Sequence, residues 1–318
     1  MELILTVMVP VFGLIAIGYL TMRLQIVPDN ADEVIGDFIF TVGVPILLAL
    51  TMFRADFGGA SPFILWGAYF IGAFATWAMA HFLVRWLYGR DARSGVIAGV
   101  SAAFSNTILI GIPLTQQVYG EEGLAIALLL ISVHLALMML VSTILIDRAA
   151  VADGIADQAP SFSQTVMHVV RAVTRNPIVI GIFTGLALRL TGWQLPGPID
   201  SLFSQVASVS GPLALIVLGM GLKRHGIARN ITVGVILAGL KLLVMPAIVF
   251  FVGRALGLPS TWLGVAVLIA ACPTGVNAYL LASSFRTGHA IASNTIVASV
   301  LLAILTTTFW LLIVQFMA

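Results

Sequence analysis

Charge is scarce in this sequence. Only 9% of its 318 residues are Asp, Glu, Lys or Arg, and 60% are apolar, whereas a soluble domain carries about 25% charged residues. That excludes a soluble fold, which needs more polar surface than this chain can supply. Lipid is the solvent that tolerates such a composition. Cysteine is scarcer still: Cys272 stands alone, which excludes a disulfide framework. The start lacks a basic stretch and a small-residue cleavage site, so it reads as a first transmembrane helix and not as a signal peptide. The formal net charge of +2 says little, and neither a nucleic-acid partner nor a cofactor is expected.

Acids are missing from the places where ion chemistry needs them. All 13 Asp and Glu fall in loops or near the ends of apolar stretches, with Asp37 and Asp147 the nearest to mid-span. Carboxylate-based sodium or proton antiporters need intramembrane acids, so that class is disfavoured. An intramembrane protease is disfavoured too, because the chain has no His-Glu-x-x-His motif and no pair of mid-span aspartates. A third class, a membrane sensor or scaffold, needs an output domain or a docking tail.

What is present is a succession of apolar runs. A helix needs about 20 mostly apolar residues to cross the hydrocarbon core. Ten stretches qualify, near 3–22, 34–53, 62–86, 95–118, 123–146, 175–192, 199–222, 231–256, 260–284 and 290–316. The polar segment 147–168 reads as a linker between residues 1–147 and 169–318. Loops after odd-numbered spans hold eleven of the 15 Lys and Arg, Lys223, Arg224 and Arg229 among them. Loops after even-numbered spans hold three, Arg54, Arg189 and Arg254, and Lys241 lies inside a span. Basic loops stay in the cytoplasm. The expectation is a multi-pass protein of the bacterial inner (cell) membrane, with a cytoplasmic linker and both termini periplasmic.

The two halves repeat. Pro10 and Pro177 stand 167 residues apart, as do Pro45 and Pro212, and Pro28 and Pro196 stand 168 apart. Loop lengths agree as well. An odd number of spans per half makes the second half enter from the opposite face, and inverted repeats are a signature of secondary transporters. Two corresponding spans are interrupted. Span 4 reads Ser105-Asn106-Thr107-Ile108-Leu109-Ile110-Gly111-Ile112-Pro113, and span 9 reads Cys272-Pro273-Thr274-Gly275-Val276-Asn277. A mid-span proline removes a backbone donor and clashes with the preceding turn, and a nearby glycine lets the chain bend. Broken helices at membrane depth are tolerated where they are buried or line a cavity. Their freed amides carry partial positive charge and suit a carboxylate, and Asn106 and Asn277 each add a donor. The alternative is a pair of proline kinks with asparagine as interhelical glue.

Two further polar residues stand mid-span. His134 can donate to an anion and titrate near neutral pH, or can serve a structural hydrogen bond. Lys241 lies eleven residues into span 8, where a buried charge costs roughly 2.5–3.5 kcal/mol. It snorkels, pairs with an acid, or raises the anion affinity of a cavity.

Asn106-Thr107-x-x-x-Gly111-Ile112-Pro113-Leu114, followed by Tyr119-Gly120, resembles the span-4 crossover of the auxin efflux carrier family. That family includes plant auxin carriers and bacterial carriers assigned to malonate or malate. The resemblance runs along the whole chain, through Val44-Pro45-Ile46-Leu47 in span 2, and is looser in span 9. It implies an all-α membrane protein of the NhaA-like fold: about ten transmembrane helices in two inverted five-helix repeats, with helices 4 and 9 broken and crossing. It implies a scaffold domain, a transport domain and elevator-type motion. It also makes Asn106 the substrate-contacting asparagine and Leu109 an apolar neighbour of the substrate. His134 falls where plant members carry a substrate-facing glutamine, and Leu48 where they carry a serine, which argues against auxin itself.

The reading is a secondary transporter of a small organic anion, with a carboxylate such as malonate, malate or an auxin-like acid as substrate and the bilayer as its medium. Asn106, Leu109, His134, Thr274 and Asn277 form the expected substrate set. Gly111, Pro113, Pro273 and Gly275 form the expected helix breaks, and Lys241 is an anion-attracting or coupling residue. A proton as co-substrate and a homodimer are further partners to test. The rival within transport is an ion-coupled symporter for a larger amphipathic anion.

Overall fold

The computed structural model describes residues 2–55, 61–193, 195–222 and 231–317. The basic cluster Lys223, Arg224 and Arg229 lies outside the described residues. Helices make up most of the chain's described residues, and no strand longer than an isolated bridge occurs among them. Its helices are α1 Glu2–Arg23, α2 Ala31–Phe38, α3 Val44–Arg54, α4 Pro62–Tyr88, α5 Ala92–Ala103, α6 Ile112–Ala152 and α7 Phe162–Thr174, then α8 Pro177–Leu190, α9 Gly197–Leu222, α10 Thr232–Gly239, α11 Met245–Ala255, α12 Ser260–Ala271, α13 Asn277–Ser284 and α14 His289–Met317. Six helical stretches are long and apolar enough to cross a membrane: 31–54, 62–88, 107–152, 197–222, 232–255 and 289–316. Counting α7 and α8 as one bent span adds a seventh. The stretch 107–152 has 46 residues, about 69 Å of helix at 1.5 Å per residue, against about 30 Å of hydrocarbon. It is not one rod: Gly120, at φ 62° and ψ −151°, divides it.

Proline shapes three of the long stretches in one way. A π turn spans Ile39–Gly43, another Thr107–Gly111 and a third Leu240–Val244. Each ends two residues before a proline, Pro45, Pro113 or Pro246. A proline cannot donate to the turn before it, and its ring crowds the carbonyl four residues back. Widening that turn to an i→i+5 pattern relieves the clash without ending the helix. The helix break expected at Gly111-Pro113 is therefore a π turn running into α6. The chain leaves helical geometry earlier, at Phe104 (φ −83°, ψ 100°). Much of the expected linker is also helical, because α6 runs on to Ala152 and α7 starts at Phe162.

The chain forms two compact units, and each draws on both halves of the sequence. The first comprises residues 1–60, 108–132 and 172–225. In it α1 packs on α9 and α3 packs on α8. Small residues let these backbones touch: a Cβ on Gly18 would lie 2.0 Å from the Ile216 carbonyl oxygen, and one on Gly185 would lie 2.1 Å from that of Ala49. Packing through small residues is how helices associate in lipid, where burial of apolar surface gives no drive. The second unit comprises residues 61–107, 133–171 and 226–318. Its helices α4, α5, α10 to α14 and the last part of α6 surround the two interrupted segments that follow α5 and α12. On its surface Asp153 closes the start of α5, accepting from the backbone N–H of Ala92 at 2.8 Å and of Arg93 at 3.0 Å.

Candidate functional site: a bridged pair of helix breaks

Helix α5 stops at Ala103 and α12 stops at Ala271, and in each case the next residue is extended. The two extended segments run antiparallel and pair. The Asn106 N–H donates to the Pro273 carbonyl at 2.8 Å, and the Gly275 N–H donates to the Phe104 carbonyl at 2.8 Å. Ser105 and Thr274 face each other across this single bridge. Unpaired backbone groups at membrane depth cost several kcal/mol each. The bridge satisfies four such groups where the two helices stop.

Side chains meet more of the exposed ends. The Thr274 hydroxyl donates to the Ser101 carbonyl at 2.7 Å, near the end of α5. The Thr274 N–H donates to Ser299 Oγ at 3.0 Å, and the buried Tyr69 hydroxyl donates to Ser105 Oγ at 2.9 Å. The Lys241 ammonium donates to the Ala270 carbonyl in the last turn of α12. These contacts fix the crossing from α4, α5, α14 and the π turn that precedes α11.

His134 is 1% exposed. Its ring stands edge-on to Tyr69 and Phe104, with centroids 5.5 and 4.9 Å away, and is stacked on Phe70 at 6.3 Å. Neither ring nitrogen has a hydrogen-bond partner. The Ser105 backbone lies near enough to act on the ring electrostatically, without hydrogen-bond geometry. A buried imidazole with both nitrogens unsatisfied is expensive and calls for an explanation.

The expected residues are placed as follows. Asn106, Pro273, Thr274 and Gly275 lie at the bridge itself. Asn277 begins α13 two residues beyond it and is half-buried. His134 contacts Phe104 and Tyr69, the latter bonded to the bridge. Lys241 holds the end of α12. Leu109, Gly111 and Pro113 belong to the first unit, where Leu109 packs against a cluster that includes Leu48, Ile112 and Leu128. Sequence reasoning missed Tyr69, Phe104, Ser101 and Ser299. Tyr69 carried a usable signal, a phenol at mid-span and not at the interface where tyrosine usually anchors. The two serines carried none, since mid-span serine commonly bonds within its own helix.

A helical protein with six or seven apolar stretches long enough to cross a membrane is built like a multi-pass membrane protein. The comparisons agree. Residues 3–311 match the family described as "Membrane transport protein". The "Putative malonate transporter" of Rhizobium meliloti (strain 1021) is 26% identical over 310 residues, covering 94% of this chain and 92% of that one. An "Uncharacterized transporter" of Methanothermobacter thermautotrophicus is 23% identical, covering 97% and 96%. "Auxin efflux carrier component 8" of Arabidopsis thaliana is 24% identical over 261 residues, covering 69% and 71%. The chain belongs to this family of membrane transporters, the auxin efflux carrier family.

Proposed function

We propose that this transporter carries a small organic carboxylate anion, of the malonate or malate kind, at the bridged breaks of the second unit. The observation that carries the reading is the bridge. It pairs the Asn106 N–H with the Pro273 carbonyl and the Gly275 N–H with the Phe104 carbonyl, and Asn106 and Asn277 stand at the starts of the helical segments that follow. Those starts are the positive ends of their helices. We assign further donors to Lys241, at the end of α12, and to His134, beside Phe104. Acids are absent from the middle of the spans, so an anion meets no repulsion from a neighbouring carboxylate. Thr274, committed to Ser101 through its hydroxyl, holds the bridge in place.

The proposed architecture is ten spans in two inverted five-helix repeats, moving by an elevator mechanism with the second unit as carrier. Packing in the first unit supports the repeat. An offset of 167 residues turns Gly18 into Gly185 and Ala49 into Ile216, and the two close contacts are Gly18 with Ile216 and Gly185 with Ala49. One contact is the other with the halves exchanged. The bridge pairs Ser105 with Thr274, 169 residues apart, as residues near the axis of such a repeat would pair.

The test is uptake of radiolabelled carboxylates into proteoliposomes, screened over mono- and dicarboxylates with and without a proton gradient. Saturable uptake of a small carboxylate, competed by its analogues, is the expected result. Stimulation by an inward proton gradient would add the proton as co-substrate. Uptake that only a larger amphipathic anion supports would transfer the assignment to the rival symporter.

A further inference from the structure

Lys241 sits against the end of a broken helix. It is fully buried, in the π turn between α10 and α11, and its ammonium donates to the carbonyl of Ala270. Ala270 lies in the last turn of α12, whose final carbonyls lose their helical partners when the chain turns extended at Cys272. Those carbonyls form the negative end of the half-helix. In secondary transporters with discontinuous helices, unwound carbonyls and half-helix C-terminal ends of this kind coordinate the coupling sodium or proton. Here a lysine side chain occupies such an end.

The matching end of α5 is treated differently. It is met by a neutral donor, the Thr274 hydroxyl on the Ser101 carbonyl. One broken end is thus met by an amine and the other by a hydroxyl. The titratable groups facing Lys241 are Cys272 and His134, and neither is an acid that would cancel an ammonium at neutral pH. Among the described residues, each ion pair lies elsewhere.

We infer that the Lys241 ammonium is a built-in cation that takes the place of a coupling ion at the end of α12, so that the transporter holds its crossing together and binds its anion without sodium. Lys241 is then a positioning residue. It acts through the Ala270 carbonyl and the shape of the bridge. The inference rests on the carboxylate-carrier reading only for the identity of the anion.

The experiment uses the full-length protein, with malonate as probe, and two readouts: thermal melting in detergent and uptake into proteoliposomes. Each is run in sodium, in choline and in choline with methylammonium. The wild type is expected to melt at the same temperature and take up malonate at the same rate in sodium and in choline. Lys241→Ala is expected to lose tenfold or more of its uptake in choline and to melt lower. Sodium or methylammonium should restore part of both, because a small cation can enter the vacated place. Lys241→Arg should keep the sodium independence. A wild type that needs sodium, or is markedly stabilised by it, overturns the inference. So does a Lys241→Ala protein that matches the wild type in choline, or one whose defect no cation relieves. If Lys241→Ala fails to fold, the wild-type melts and the Lys241→Arg protein still decide. Absence of any carboxylate uptake by the wild type would sink the carrier reading and leave the melting comparison standing.

Discussion

At the scale of single residues, the sequence exposed chemistry but not partnership. Asn106 and Asn277 stand out because amides are rare in apolar spans; the first lies at the bridge and the second begins α13 two residues beyond it. If the anion is bound at this crossing, Asn106→Ala removes a donor and leaves a ligand oxygen unpaired. Losing a hydrogen bond to a charged group costs roughly 1.5–3 kcal/mol, so binding should weaken about ten- to a hundredfold. Asn277→Ala should follow if the two halves share the load. Affinity measured in nanodiscs, with folding checked by thermal melt, tests both. Wild-type affinity in two well-folded variants would move the site elsewhere. What the sequence hid at this scale is the surroundings. The box around His134 comes from Tyr69, Phe70 and Phe104, at least 30 residues away along the chain. The Lys241 partner is a backbone carbonyl, and no pattern of side chains reveals a carbonyl left over by a broken helix.

At the scale of elements, the sequence was most informative where proline and glycine act locally, and least where two elements meet. Pro273 and Gly275 mark an interruption in the sequence, and the chain turns extended just before them, at Cys272. The interruption of span 4 was placed too late. Pro113 looks like a breaker, yet the preceding turn absorbs it by widening into a π turn, as happens again before Pro45 and Pro246. The true break at Phe104–Asn106 has no proline of its own and is held by hydrogen bonds from residues 273–275. Packing of α3 on α8 gives a prediction at this scale. Gly185→Leu puts a side chain where a Cβ already falls 2.1 Å from the Ala49 oxygen. The helices must separate, and overpacking of this kind costs about 1–3 kcal/mol or more. A melt several degrees lower than the wild type is expected, and an unchanged melt would show that these helices do not pack there.

The start of α5 gives another. Partial burial pushes the Asp153 carboxyl up, but the N–H groups of Arg93 and Ala92 and the Arg93 guanidinium outweigh it and hold the group below its ordinary value of 3.8. A carboxylate held low in the folded state contributes stability above its ordinary value and loses it as pH falls through the lowered one. Asp153→Asn should therefore cost about 1–2 kcal/mol at neutral pH and progressively less below about pH 4. Melting curves of the two proteins that stay equally far apart down to pH 3 would count against the carboxylate as the source.

At the scale of the whole molecule, composition alone decided the solvent, and the matched prolines suggested how the halves relate. The interleaving of the units was not legible, because it depends on which helices touch. The first unit takes α1 to α3 from one half and α8 and α9 from the other. Such sharing follows naturally if the halves are inverted copies that embrace, and inversion has a consequence that can be measured. Positions 30 and 198 correspond in the two halves, since Pro28 and Pro196 stand 168 residues apart, and both are exposed. In a chain whose halves are inverted, corresponding loops face opposite sides of the membrane. The distribution of Lys and Arg predicts position 30 and the exposed position 158 in the cytoplasm and position 198 on the far side. The lone native thiol, Cys272, is buried and gives little background. Single variants Asn30→Cys, Gln158→Cys and Pro198→Cys can therefore be labelled with a membrane-impermeant maleimide. In intact cells the reagent should label only the last of the three, and in inside-out vesicles only the first two. If positions 30 and 198 label from the same side, the halves are parallel. The contacts of Gly18 and Gly185 would then need another origin.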